Sequence, residues 1–409
     1  MRILFVHEVD WLRKVVFDIH NLADALSVLD HRVYAIDYED TWERKGSFDF
    51  GSLRTREVDG VSRAIPQASV SLRRPGFIKI PGLSRLSAAC THYLEIQGTL
   101  KEKNIDVVML YSVPTNGLQT IRLARRFNIP VVFRSIDMLH RLVRYPALRS
   151  PTRFLERKVY STVDAILAIT PNHYRYVIGL GADESKVKLL PLPVDTTIFR
   201  PSVDASDIRQ KWGFSEKDQV IVFIGTLFGF SGLDSFIQNF PQVVERIPEA
   251  RLLIVGDGPQ RPSLEQIIRA LGLGRQVVIT GFQPYATMPQ YINVAKVCIN
   301  PFVNTPSTRD IFPGKIIQYL ACGKAAVATP LLGITSLIPD ESQGVVYADN
   351  AADMAEKVIS LMNSPERRQE LGQAGVEYVR KVHDQQKIAH QLESELLDIV
   401  NRSERTEKE

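Results

Sequence analysis

Between Pro301 and Pro330 the chain reads PFVNTPSTRDIFPGKIIQYLACGKAAVATP, a stretch whose side chains suit the holding of a diphosphate. Phe312-Pro313-Gly314-Lys315 open a short helix that runs through Ala321 and is closed by Gly323. A helix amino terminus presents unpaired N–H groups, and Lys315 adds a full positive charge, so phosphate oxygens would meet amides and an ammonium group together. Lys315 and Gln318 stand about one turn apart, on one helix face, and Asp310 precedes the turn. Spacing leaves a second account open, in which Lys315 and Asp310 are merely solvated and Gln318 caps locally.

Two other turns let a backbone come close to a ligand. The apolar run Val220–Ile224 leads into Gly225-Thr226-Leu227, with Gly229 and Gly232 beyond, and Leu252–Val255 leads into Gly256-Asp257-Gly258-Pro259. The second is equally a plain tight turn. The dinucleotide fingerprint is absent: Arg261 takes the third glycine position, and His7-Glu8-Val9-Asp10 follows the first apolar run. This argues against a nicotinamide dehydrogenase.

These loops must be positioned by strands alternating with helices. Arg2–Val6, a helix over Phe17–Leu29 and His31–Ile36 form one strand–helix–strand unit, and the pattern recurs through Val107–Leu110, Gly117–Phe127, Pro130–Phe133, Ala165–Ile169 and His173–Leu180. Three prolines in KLLPLPVDTTIFRP mark a connection. A second series follows, from Val220–Ile224 and Leu233–Arg246 through Ala250–Val255, Ser263–Leu271, Val277–Ile279 and Met288–Val294 to Val297–Asn300. The pattern predicts an α/β protein of two Rossmann-like domains, residues 1–195 and 196–384. A helix over 385–400 is expected to pack back on the first domain, and the polar tail 401–409 to be disordered.

A chain of 409 residues exceeds what one core normally supports, and 44% hydrophobic with 23% charged residues is ordinary for a globular protein. Three cysteines at long spacings suggest neither a zinc site nor a disulfide framework, and no metal ligands are assigned. With no leader and no long apolar run, a cytoplasmic location is expected. Residues 1–200 hold 29 basic against 21 acidic side chains, leaving 21 against 25 in the rest. The stretch Ser71–Leu86, SLRRPGFIKIPGLSRL, mixes cations with apolar residues and predicts peripheral contact with an anionic membrane at its inner face; a solvated basic loop is the alternative. No nucleic-acid-binding motif accompanies the charge.

At this point the sequence resembles the retaining glycosyltransferase family 4. The matching segments, in order, are LPVDTTIFRP (Leu192–Pro201), VFIGTLFGFSGLDSFIQ (Val222–Gln238), LLIVGDGP (Leu252–Pro259), VVITGFQPYATMPQYINVAKVCINP (Val277–Pro301) and DIFPGKIIQYLACGKAAVAT (Asp310–Thr329). The likeness covers nearly all of residues 187–384 and is looser in the amino-terminal half, where it rests on IPVVFRSIDM (Ile129–Met138). It implies a GT-B fold with two parallel sheets facing across a cleft, acceptor on the first domain and nucleotide-sugar donor on the second. It implies retention of anomeric configuration and no cofactor or required metal.

Residue by residue, the resemblance sets Asp310 at the acid that touches the transferred sugar and Gln318 at the glutamate that holds the ribose, here without its charge. Phe282 falls where the backbone meets the nucleobase. Gly225, Thr226, Gly258, Phe312, Pro313 and Gly314 complete the expected donor site. Thr226 and Ser231 stand where the family carries an arginine and a lysine on the phosphates, so Lys315 is the expected substitute and, with Asp310 and Asp137, a catalytic candidate. Asp137 follows the family's His-Asp position, with Ile136 replacing the histidine, and is expected to meet acceptor or sugar unless it caps a helix. The family's early glycine pair is replaced near Asp10-Trp11. The expected activity is transfer of a sugar to a glycan or lipid-linked acceptor in surface polysaccharide, glycolipid or glycoprotein synthesis. A catalytically silent GT-B subunit that supports a partner, and a nucleotide-sugar epimerase, are the alternatives.

Overall fold

The computed structural model describes residues 1–39, 50–80, 83–143 and 145–408. It divides into two compact units, one formed by Met1–Pro193 with Gln385–Glu409, the other by Val194–Asp384.

The first unit carries an eight-stranded sheet: β1 (Arg2–Val6), β2 (Arg32–Ile36), β3 (Arg56–Val61), β4 (Val70–Arg74), β5 (Val107–Leu110), β6 (Val131–Ser135), β7 (Ala165–Ala168) and β8 (Val187–Leu189). Their spatial order is β3-β4-β2-β1-β5-β6-β7-β8, parallel except for β3 against β4. The buried strands are apolar on both faces because helices cover both. Leu4 and Val6 join a core with Val108, Leu110 and Val159, while Ile3 and Phe5 face the other side, onto Leu22, Leu26, Leu392 and Leu396. The last two belong to the closing helix Gln385–Lys408, which returns to this unit and is held there by Glu393 on His31 at 2.8 Å and by Glu395 on Lys188.

The second unit carries β9 (Gln219–Ile224), β10 (Ala250–Val255), β11 (Val277–Ile279), β12 (Val297–Asn300), β13 (Ala326–Ala328) and β14 (Val345–Tyr347), in the all-parallel order β11-β10-β9-β12-β13-β14. In each sheet the winding direction reverses beside a first strand, between β1 and β5 and between β9 and β12. Such reversals open a crevice at the strands' carboxyl ends.

Two expectations are corrected here. The tail is helical to Lys408, since nothing from Asn401 onward breaks a helix. The stretch Ser71–Leu86 is not a solvated loop: it begins in β4, where Arg73 and Arg74 are buried, Arg73 on Glu57 and Glu95 and Arg74 on Asp10 and Asp37. Phe77 is buried against Tyr38, Lys79 pairs with Glu39 at 3.4 Å, and Pro81 and Gly82 lie outside the described residues. Hydropathy cannot foresee a strand whose arginines are neutralised from other strands and helices. Asp10 and Trp11, at the position of the missing glycine pair, are core residues exposed by only 2% each.

Candidate functional site

In the second unit β9 runs into Gly225, which has φ +140°. A Cβ there would lie 2.7 Å from the Lys315 Nζ, so the space beside the turn is taken by that ammonium group. Lys315 begins the helix Lys315–Ala321, and Tyr319 of the same helix accepts a hydrogen bond from the Ile224 amide at 2.9 Å, which fixes the helix against β9. The ammonium stands 3.9 Å from the Phe223 ring centroid and 4.5 Å from that of Phe302. These ring faces attract a cation. Among the described residues no carboxylate pairs with it, and burial lowers its pKa to about 7. An uncompensated cation beside a half-buried glycine turn is a ready receptor for phosphate oxygens. The helix has only seven residues, so Lys315 itself, rather than a helix dipole, supplies most of the field.

The β10 turn packs on the β9 turn. Gly225 N donates to Val255 O and Leu227 N to Asp257 O, both at 2.9 Å, and a Cβ on Gly256 would meet Gly225 O at 2.0 Å. A Cβ on Gly258 would meet the Leu227 backbone at 2.7 Å. Both glycines are thus required by the touching of two turns, with or without a ligand. Gly256 bridges to Gly281, which places the exposed Phe282 next along the same edge, and Thr226 is half-exposed. Gly225, Thr226, Gly258, Phe282 and Lys315 therefore follow one another along the sheet's carboxyl edge.

The remaining candidates are placed differently. Phe312 is buried and its ring stacks on His383, 5.9 Å between centroids, so its side chain wedges the loop rather than facing a ligand. Asp310 is 5% exposed and accepts from Arg309 Nε at 3.3 Å. Pro313 is buried, while Gly314 and Gln318 are half-buried ahead of and one turn along the helix. Ser231, at the expected lysine position, is wholly buried, with no hydrogen-bond partner for its hydroxyl among the described residues. Its neighbour Phe230 lies edge-on to Phe302, so the loop builds a wall for Lys315 in place of a second cation. Phe223 and Phe302 escaped the sequence reading. The signal was an aromatic residue near the end of each strand flanking the winding reversal.

In the first unit the ends of β1, β5 and β6 bring forward His7, Tyr111 and Asp137. Burial raises the Asp137 carboxyl to about pKa 6, opposed by the Lys14 charge, and lowers His7 to about 3, assisted by that same charge. Asp137 does not cap the helix Leu139–Leu142. That helix's first amides go to Glu156, with Leu139 N donating at 3.0 Å and His140 N at 3.3 Å. Below this edge Arg134 is wholly buried and paired in bidentate fashion with Asp18, at 2.9 and 2.8 Å, while Tyr111 donates to the same carboxylate at 3.0 Å. Arg134 also donates to the Leu190 and Pro191 carbonyls, which secures the chain just before the first unit ends. Among the described residues no three His, Cys, Asp or Glu side chains stand together as a metal-ligand set.

Residues 204–378 match the family described as Glycosyl transferases group 1, and residues 16–193 match the Glycosyl transferase 4-like domain. A GDP-mannose-dependent monoacylated alpha-(1-6)-phosphatidylinositol monomannoside mannosyltransferase of Corynebacterium glutamicum is 29% identical over 228 residues, 54% of this chain and 59% of that protein. An alpha-D-kanosaminyltransferase of Streptomyces kanamyceticus is 26% identical over 169 residues, 41% of this chain and 42% of that one. The chain spans about half the length of the curated relatives it matches. Among solved structures, a sucrose-phosphate synthase of Thermosynechococcus elongatus superposes with a TM-score of 0.76 at 17% identity, covering 98% of this chain and 100% of that one. Anabaena HepE in complex with UDP superposes with a TM-score of 0.72 at 16% identity, covering 97% and 100%. At such identities these structures show the fold alone.

Proposed function

The chain belongs to the family 4 type of glycosyltransferases, built on the GT-B fold, and from this we propose that its second unit binds a nucleoside-diphosphate sugar whose sugar passes to a glycan or lipid-linked acceptor. One observation carries the reading: the Lys315 ammonium group fills the space beside the Gly225 turn with no carboxylate to neutralise it among the described residues. As the bond from the sugar C1 to the diphosphate oxygen breaks, negative charge grows on that oxygen. Lys315 and the Thr226 amide are the groups to stabilise it. The acceptor hydroxyl oxygen bonds to C1, and its proton leaves to the diphosphate or to water. One well-placed donor of this kind is worth about 3 kcal/mol of barrier.

Phe282 is assigned to the nucleobase, Gln318 to the ribose and Asp310 to the sugar, while Asp137 is assigned to acceptor or sugar. Retention of configuration and independence from metal complete the reading and rest on family resemblance. The UDP in the HepE complex supports a nucleoside diphosphate, and the phosphatidylinositol named for the Corynebacterium relative supports a lipid-linked acceptor. Three free cysteines, Cys90 among them exposed, fit a reducing, cytoplasmic setting, and no helix among the described residues is long and apolar enough to cross a membrane.

Thermal-shift screening against nucleoside diphosphates and their sugars tests the proposal: one nucleotide should raise the melting point, by mass action, in wild type and not in Lys315→Ala. No response to any diphosphate would overturn it. The buried Ser231 and uncharged Gln318 favour a second reading, a catalytically silent GT-B subunit. Donor hydrolysis or sugar transfer by the purified chain alone excludes that second reading.

A further inference from the structure

The segment after Asp137 carries a one-sided surface. From Leu139 to Thr162 the sequence holds six Lys and Arg against one acid, Glu156, and Glu156 is buried. The helix Arg149–Tyr160 turns Thr152, Glu156, Val159 and Tyr160 inward. At 100° per residue Phe154 then stands near the middle of the opposite face, 59% exposed, with Arg153, Arg157 and Lys158 exposed around it. Lys158 Nζ lies 5.8 Å from the Phe154 ring centroid. Just before the helix, Tyr145 and Leu148 are exposed by 62% and 52%.

A large aromatic at the summit of a helix, ringed by cations and preceded by further exposed apolar side chains, matches the boundary between headgroups and acyl chains. The rings and leucines enter, and the cations meet anionic headgroups. A nucleic acid would use the cations but leave the leucine in water. We propose that this face, the outward side of Arg149–Tyr160 with the turn at Tyr145–Leu148, docks the protein on an anionic lipid bilayer. It takes the role expected of Ser71–Leu86, whose Arg73 and Arg74 are spent on internal carboxylates.

The face is firmly joined to the candidate site. Glu156 accepts from the amides of Leu139 and His140 and sits 2.7 Å from His140 Nδ1, so the helix and the loop that presents Asp137 form one braced piece. Docking would bring that loop to the lipid surface, where a lipid-linked acceptor lies. This last consequence rests on the transferase reading, whereas the docking itself does not.

The test is flotation of the full chain, without sugar donor, on vesicles of phosphatidylcholine alone or mixed with phosphatidylglycerol. The expected result is binding to the mixed vesicles only, weakening with salt. Each cation near such a surface contributes about fivefold, so Arg153→Glu with Arg157→Glu should lower the partition coefficient by about 25-fold or more. Phe154→Ser should lower it while leaving the salt dependence intact, and Arg85→Glu should change it little. Should the double reversal unfold, Arg153→Gln with Arg157→Gln serves with a smaller loss. Absence of binding to the mixed vesicles, wild-type binding by a folded double variant, or retention on a soluble polyanion but not on vesicles would each overturn the proposal.

Discussion

Replacing Lys315 by Met separates what the ammonium group does for a ligand from what it costs the fold. The methionine stem keeps the path between Phe223 and Phe302 and nearly the same volume. Burial lowers the lysine from 10.5 to about 7. At about 1.4 kcal/mol per pKa unit this bounds the cost of the charge at about 5 kcal/mol. The residue is half-buried and two ring faces return part of that cost, so the expected gain in stability on substitution is about 1–2 kcal/mol, a few degrees in melting temperature. A lysine depressed on folding withholds stability while it is charged: its contribution is complete above about pH 10.5 and lost as pH falls through about 7. The melting-point advantage of Lys315→Met should therefore shrink as pH rises between those limits. In the opposite direction, a nucleoside diphosphate at about 100 times its Kd should stabilise the wild type by about 2.7 kcal/mol and the variant much less. Sugar transfer should fall by about 100-fold to 1000-fold. Differential scanning calorimetry across pH, with and without nucleotide, reads both effects. An unchanged ligand response together with near-normal turnover would refute the reasoning.

Donor affinity should decline as pH rises through about 7, because free Lys315 loses the proton that the diphosphate requires; calorimetric titration should show proton uptake on binding near that pH. Gly225→Ala forces a Cβ to 2.7 Å from Nζ at φ +140°, so it should displace the ammonium, weaken nucleotide binding and destabilise by about 1–3 kcal/mol, as read by urea titration. Asp137→Asn should leave the fold intact and lower turnover. Since the folded carboxyl is raised to about 6, its contribution to stability is complete below about 3.8 and lost as pH rises through about 6, a dependence the asparagine removes. Arg134→Met leaves Asp18 buried without its cation and should cost about 3–5 kcal/mol, measurable as a lower denaturation midpoint.

Much of the fold was legible because its signals are local. β1, β5, β9 and β10 each hold an apolar run of four or five residues, and turn residues separate them from helices of 3.6-residue period, which requires parallel strands under helices. The Lys315 helix was equally legible, since proline and glycine mark its start and Gly323 its end. β3 and β4 were not, because Glu57, Arg73 and Arg74 read as surface residues until distant partners neutralise them. The helical tail was missed for a related reason, polar composition being a weak guide where no breaker is present.

The sequence by itself determined that a lysine opens a helix after the strand Val297–Asn300, that two glycine turns precede it, and that the usual pair of cations is missing. Only the tertiary structure decided that the Lys315 ammonium lies against Gly225 between Phe223 and Phe302, that Phe312 turns inward to His383, and that Glu156, rather than Asp137, caps the helix after β6. Type and order are written along the chain. The pairing and desolvation of charges depend on distances between residues far apart in sequence, and these exist only once the strands have taken their places.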